Sequence, residues 1–461
     1  MATYDNNSLV LLLTQLKSRL GYVSGTPAFW TDTELNLRLA EATQMINSLT
    51  GFSRAIATFN TAAGTAIYDL ATELSTQRPR TTTNRDIIAS LQYHLMETGT
   101  SSTWTGPQFT ATHIADAMTR AWLRLLSTTG ISVTQTATAL TPGPVYSATL
   151  DDNTTDIRRV VWRTAEGRDY PLYPSDERAA TSYNRAWRQS PGIPYSYSLI
   201  GGAPRDIRFQ PPILEAGTLR TLTVQPLVTD FAGYDTALAI PNDLSWAVIW
   251  GTLALLLRGD GDNADPQRAQ LAAQLEQLGL EATANCPSVL HLSVNDVAAM
   301  PCTLRDLDTL YPGWETRDGG TPTAIAMIAP DLVALYPVPD DVYSVSVTCV
   351  SAISTGGAYL QLGDELADAV LALAEHLALF KCGGAELSAS IPAAQAAIET
   401  ASRYRARLDA FTPNASWMMR YGTSEQDARP LARYPEQAAA SQLAMDRQED
   451  ARKERNARRK A

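Results

Sequence analysis

The four histidines are the first residues to test for chemistry, because an imidazole titrates near neutral pH and serves as base, acid or metal ligand. His94, His113, His291 and His376 fall on separate predicted elements, with no acid or nucleophile at a recurring local spacing. The stretch "DGDNAD" at 260–265 opens like a calcium loop with Asp260 and Asp262. However, Asp265 holds the sixth place, where such a loop needs glycine, and Leu271 the place of the bidentate glutamate. It reads as a polar turn, with Pro266 opening the next helix. Cys286, Cys302, Cys349 and Cys382 show no CxxC spacing and read as structural thiols rather than a zinc ribbon or redox pair. No GxxxxGK[ST], GxGxxG after a strand, GxSxG or HExxH is present. Tyr195, Tyr197, Tyr311 and Trp314 have faces on which a ligand could stack, although burial in a small sheet's core accounts for them better. The residues therefore predict no enzyme and no catalytic, cofactor or metal site.

If no local motif carries the function, the elements themselves must. The chain has 461 residues, of which 45% are hydrophobic, enough for a large core in two or three domains. Its longest apolar run, "LSWAVIWGTLALLL", is short of the roughly 20 residues of a spanning helix and predicts a buried core helix. The start, "MATYDNNSLVLLL", has no positive residue before its apolar segment, which predicts no secretory signal and folding in a cytosol. The formal net charge is −11 and only four of the 37 basic residues are lysines, so no sequence-wide basic grip on nucleic acid is expected.

The chain is built from doubled parts. Residues 9–70 match those 79 positions later in their apolar frame: Leu12 faces Leu91, Leu39 faces Met118, Ile46 faces Leu125. Turn residues coincide as well, namely Thr31 with Thr110, Gly51 with Gly130 and Gly64 with Gly143, which shared helix periodicity alone does not explain. Each copy reads as helix, loop, helix and short strand. Thr31 and Glu34 have capping-box spacing, with Gly51 ending the helix they open. In the second copy His113 replaces the glutamate, so half of the reciprocal cap is lost and His113 reads as a surface residue.

A weaker duplication follows. "PLYPSDERAATSYNRAW" (171–187) parallels "PCTLRDLDTLYPGW" (301–314), and "DIRFQPP" (206–212) parallels "LVALYPVP" (332–339). The prolines predict edge strands of small antiparallel sheets. Both copies close on a helical pair, near Ile240 and Leu362, whose first member is apolar nearly all round. The expected fold class is α+β: a duplicated module of a helical bundle plus a small antiparallel β-sheet or sandwich, with an extended C-terminal helical arm. The preferred organisation is a complete inner module at 86–285 inserted into an outer module split between 1–85 and 286–412, followed by an arm at 413–461. Surface loops tolerate such insertions. A tandem pairing of the units stays open.

The arm differs from the rest. From Arg447 onward, seven basic residues (Arg447, Arg452, Lys453, Arg455, Arg458, Arg459 and Lys460) stand against three acidic ones, on a strong helix former that cannot bury a core of its own. Two readings remain: a disordered tail, or an arm that orders on docking to a partner with acidic grooves.

This organisation resembles the head-to-tail adaptor or connector proteins of tailed bacteriophages, including the tail tubular protein A type. The resemblance lies in the N-terminal helix with "LKSRLG", in "WTDTELNLRLAEA", in the strand end Leu335-Tyr336-Pro337-Val338-Pro339 and in the helical start Ile240-Pro241-Asn242-Asp243. It spans most of residues 8–410 counted as two modules, where a family member commonly has one, and Gly363 replaces Pro241 in the outer copy. The resemblance implies a structural virion protein at the head-tail junction, assembled in the bacterial cytoplasm. It further implies a homo-oligomeric ring, twelve copies by analogy, between the portal protein and a tail nozzle or tail-tube protein. Genomic DNA would pass through the lumen without specific binding, and no membrane is involved. The basic residues from Arg447 to Lys460 would then form the portal-docking arm. A tail-tube or nozzle component is the nearby alternative; a tail-associated hydrolase is a further one.

Overall fold

The computed structural model describes residues 7–411 except 22–28, 97–103, 105–107, 184, 201–202, 226–234, 260–263, 286–288, 318, 354–358, 361 and 363. Its helices are α1 (Leu9–Arg19), α2 (Asp32–Thr50), α3 (Leu70–Glu73), α4 (Asn84–Leu95), α5 (Ala111–Thr129), α6 (Glu177–Tyr183), α7 (Ser245–Leu257), α8 (Pro266–Asn285), α9 (Leu304–Leu310), α10 (Asp364–Phe380) and α11 (Gly384–Phe411). The local chemistry sets their ends. Thr31 and Glu34 form the full capping box of α2, whereas on α5 the Thr110 hydroxyl accepts from the His113 N–H at 3.2 Å. Gly51 and Gly130 close these helices at φ 62° and 72°, a left-handed conformation that glycine adopts without a Cβ clash.

The strands fall into two sets, and each helix is counted with the strands it adjoins along the chain: α1–α3 and α9–α11 with the flanking set, α4–α8 with the central set. In the central set β4 (Val133–Leu140), β5 (Val145–Thr149), β6 (Asp156–Thr164), β7 (Asp169–Pro174), β8 (Ser196–Ile200), β9 (Ala203–Ile213) and β10 (Gly217–Val224) form a seven-stranded sheet ordered β4-β10-β6-β7-β8-β9-β5. In the flanking set β2 (Arg54–Asn60), β3 (Ile67–Asp69), β11 (Val289–Val294), β12 (Val297–Ala298), β13 (Met300–Cys302), β14 (Ala324–Ala329), β15 (Leu332–Tyr336) and β16 (Ser344–Val350) form two four-stranded sheets, β2-β16-β11-β12 and β13-β14-β15-β3. The order is the same twice, with β12 and β13 together standing for β7. β1 (Asn7–Ser8) and β17 (Tyr359–Leu360) pair separately. Among the described residues, every named strand pairs within its own set.

The structure departs from the sequence expectation in three ways. The sheets are mixed rather than antiparallel: β7 runs parallel to β8 and β13 to β14. The reason is that α6 and α9, each with a following 3-10 turn, carry the chain back as crossovers long enough for parallel pairing. Secondly, β9 and β15 are interior rather than edge strands. Their prolines fall where the ladder needs no N–H: Pro337 lies just past the end of β15, and Pro211 lies where the β5–β9 register shifts. Thirdly, caps place Ser8 opposite Thr83, four residues away from the ungapped frame. Four residues are about one helical turn, which leaves the same face inward and so hides the shift from any periodicity.

The helices α1, α2, α4, α5, α7, α8, α10 and α11 share a single core. α2 packs against α10 and α11, α5 against α7 and α8, α1 against α10, and α4 against α7. As the sequence predicts, α7 is buried all round, apart from partly covered Leu255. Its neighbours approach so closely that a Cβ on Gly251 would lie 2.9 Å from the Ala121 Cβ, and one on Gly279 would lie 2.6 Å from the Ala247 Cβ. No described helix is long and apolar enough to cross a membrane.

Candidate functional site

The concentration of buried charge lies in the seam where the two sets meet. On α2 of the flanking set, Arg38 and Glu41 sit three residues apart beside the apolar stripe, with side chains 3% and 8% exposed. The Arg38 guanidinium donates to Glu41 Oε2 at 2.5 Å and to His94 Nε2, on α4 of the central set, at 2.7 Å. Because arginine only donates, the His94 ring must accept at Nε2, which puts its own proton on Nδ1. Burial, followed by the charge of Arg38, pushes the His94 pKa down to about 4, so the ring is neutral. Burial alone would raise the Glu41 carboxyl, but the charge of Arg38 outweighs it and holds it below the usual range. Trp250 and Phe380 lie 4.7 and 5.5 Å from the His94 ring, and Lys381 sits 4.8 Å over Tyr93.

The junction at 78–86 is a second part of this seam. Arg78 pairs with Asp243 at 2.9 Å, both buried, and Arg80 reaches Asp331 at 2.7 Å and the Ala239 carbonyl at 2.9 Å. The Asn242 side chain accepts from the N–H groups of Thr81 and Thr82 at 2.8 and 2.9 Å. This segment is therefore clasped against the start of α7, and its polar residues act as partners rather than as a flexible linker.

A third part joins the sheets. Arg159 of β6 donates to both oxygens of Asp308 on α9 and to Glu315, while Arg220 of β10 also reaches Glu315. Trp314 donates its indole N–H to Asp308 at 3.0 Å and lies in a cluster with Leu222 and Leu307. Buried ion pairs give little net stability, since desolvation offsets attraction; they specify which surfaces meet, because a misplaced charge in this core has no partner. The seam can lock the two sets of strands in one register, and it positions no nucleophile beside a base among the described residues.

The sequence-predicted site residues are scattered. Arg447, Arg452, Lys453, Arg455, Arg458, Arg459 and Lys460 lie outside the described residues, as do Asp260, Asp262, Cys286 and Gly363. Asp265 caps α8, its side chain accepting from the Arg268 N–H at 3.1 Å. His113 and His291 are exposed, while His376 is buried against Ser390 at 2.8 Å. Tyr197 and Trp314 are buried, Tyr311 stacks on Tyr336 at 4.4 Å, and Tyr195 is 51% exposed. Sequence reasoning missed the Arg38, Glu41 and His94 cluster; its only local trace is a charged pair three residues apart at the border of an apolar stripe.

Residues 82–288 match the family model of the SU10 adaptor protein. That span makes this part of the chain similar to a phage adaptor-type protein. It begins at the α4 cap and ends just past α8, so it takes in the whole central set. No curated protein matches the chain.

Proposed function

We propose that this chain is a structural, non-catalytic virion protein of the head-to-tail adaptor kind, akin to tail tubular protein A. It forms a homo-oligomeric ring at the head-tail junction, between the portal protein and the tail nozzle or tail tube. The observation that carries this reading is the adaptor-family match over one complete helix-and-sheet set, whose strand order the flanking set repeats. We read the chain as a central module at about 86–285 inserted into a flanking one, 1–85 with 286–412. Strand pairing within each set supports that division. A net charge of −11 suits a channel wall that repels DNA phosphates and lets the duplex slide. The basic residues from Arg447 to Lys460 are the proposed portal-docking arm, complementary to acidic grooves.

Negative-stain imaging of the full chain with and without its portal tests the reading. Rings seated on the portal, lost when residues 436–461 are deleted, are the expected result. Binding to tail tubes without portal binding would make the protein a tail-tube or nozzle component instead. A complete portal complex in which the C-terminal arm stays protease-sensitive would remove the docking role of the arm.

A further inference from the structure

The duplication gives each set the same two faces, and the seam covers only one of each kind. In the flanking set a notch opens between the first half of α2 and the end of α10. Glu34, Arg38, Phe380 and Lys381 line it, and Tyr93 and His94, from the end of α4, fill it. Arg38 stacks 4.3 Å over Tyr93, and His94 meets Phe380 edge-on at 5.5 Å. The matching place in the central set lies between the first half of α5 and the end of α7. Counting 79 residues on, His113, Ala117 and Arg120 take the places of Glu34, Arg38 and Glu41, and Phe109 that of Trp30. Here the notch is an open groove of about 360 Å³, lined by these residues with Leu255 and Gly259 among others. Glu41 is buried; Arg120 is exposed.

The sheets repeat this asymmetry. Trp314 donates to Asp308, and Glu315 beside it grips the central sheet through Arg159 and Arg220. At the matching site Trp187 donates to Thr181 at 3.2 Å, and Arg188 beside it has a side chain 57% exposed. The receiving face is also duplicated. Leu222 of β10 stands between Gln135 and Arg159, and Thr348 of β16 stands between Ile56 and His291 in the same register. In the central set this face is covered by α9 and Trp314. In the flanking set it is open, with Ile56 69% exposed.

We infer that a second copy of this chain docks head to tail on the central set, repeating between chains the packing that joins the two sets within one. The second copy's α1 end, at Arg19 and Leu20, would enter the groove beside His113 and Arg120, and its Ile56 face would pack around Arg188, whose neighbour Trp187 is buried within its own chain. Charge supports this occupant. The notch and the inserting face both exchange acid for base, Glu41 for Arg120 and Glu315 for Arg188, while Glu375 and Glu386 line the hollow beside Arg19. A repeated unlike-face contact closes into a ring or runs on as a filament. This deepens the ring reading and rests on it only in requiring an oligomer; each chain then supplies two successive modules.

Photo-crosslinking residues placed at 113 and 56 in the full chain test it, with oligomers formed on the portal and crosslinked peptides identified by mass spectrometry. The expected products are intermolecular links from 113 to the 9–20 peptide and from 56 to the 177–188 region. Arg120→Glu, with unchanged circular dichroism and Tm, should reduce assembly at least tenfold, and Glu386→Arg in the same chain should restore part of it. Oligomers whose links fall elsewhere, or that form normally with Arg120→Glu, overturn the inference and leave the ring reading intact. No oligomer even with portal present removes the ring reading, and the inference with it.

Discussion

Arg159 Nε lies 2.9 Å from Asp308 Oδ2, and a second guanidinium N–H reaches the other oxygen of the same carboxylate, across 149 residues of sequence. This two-point contact ties the central sheet to the flanking α9 in one orientation. Asp308→Ala should therefore cost about 3 kcal/mol, because it takes two acceptors from a buried guanidinium, leaving only Glu315, and removes the acceptor of Trp314. Urea unfolding of the variant and the parent measures it. A change within error would mean that water reaches the pair.

Acid should weaken the fold through His94. The folded ring stays neutral down to about pH 4, against an ordinary value of 6.5. Below pH 6.5 the unfolded chain takes up a proton that the folded chain refuses, so stability falls from there to about pH 4, by about 3 kcal/mol in all. His376, also held near 4 by burial, adds in the same direction. Glu41, held low, loses its contribution only further down. His94→Gln keeps an acceptor for Arg38 and should flatten the profile of urea midpoint against pH between 7 and 4.5. Parallel profiles would show that the ring is not held neutral.

The two capped helices should differ in their response to truncation of the cap. Thr31→Ala removes the hydroxyl's bonds to the Glu34 N–H and carboxylate but keeps the backbone half of the box, and Thr110→Ala removes a single bond to His113. Both should destabilise by about 1 kcal/mol, with Thr31 the larger. Thermal unfolding of both variants ranks them, and the reverse order would contradict the capping assignment.

Gly251 should not tolerate a side chain. Its missing Cβ faces Ala121 on α5 and the buried Glu276 carboxylate at 2.7 Å, so Gly251→Val should cost about 1–3 kcal/mol by forcing α5 and α7 apart. Gly64, with open space around it, should accept Ala with only the strain of its φ of 78°. Equal losses at both sites would mean that backbone conformation rather than packing governs them.

Local chemistry made much of this protein legible in one dimension. Thr31, Gly51, Thr110 and Gly130 fixed helix ends because capping depends on residues within one turn, and the 79-residue echo followed from apolar periods and turn residues that survive duplication. The α+β class, the all-buried α7 and the repeated tryptophan turns were readable for the same reason. What needed three dimensions is whatever depends on long-range partners. Arg38 and His94 lie 56 residues apart, and Arg159 and Asp308 149 apart, so no local pattern shows that their charges are buried together. The parallel strand pairs, the interior place of the proline-ended strands and the hidden one-turn shift in the first helix were likewise settled by tertiary packing, because a strand's neighbours and a helix's register depend on the surface it meets.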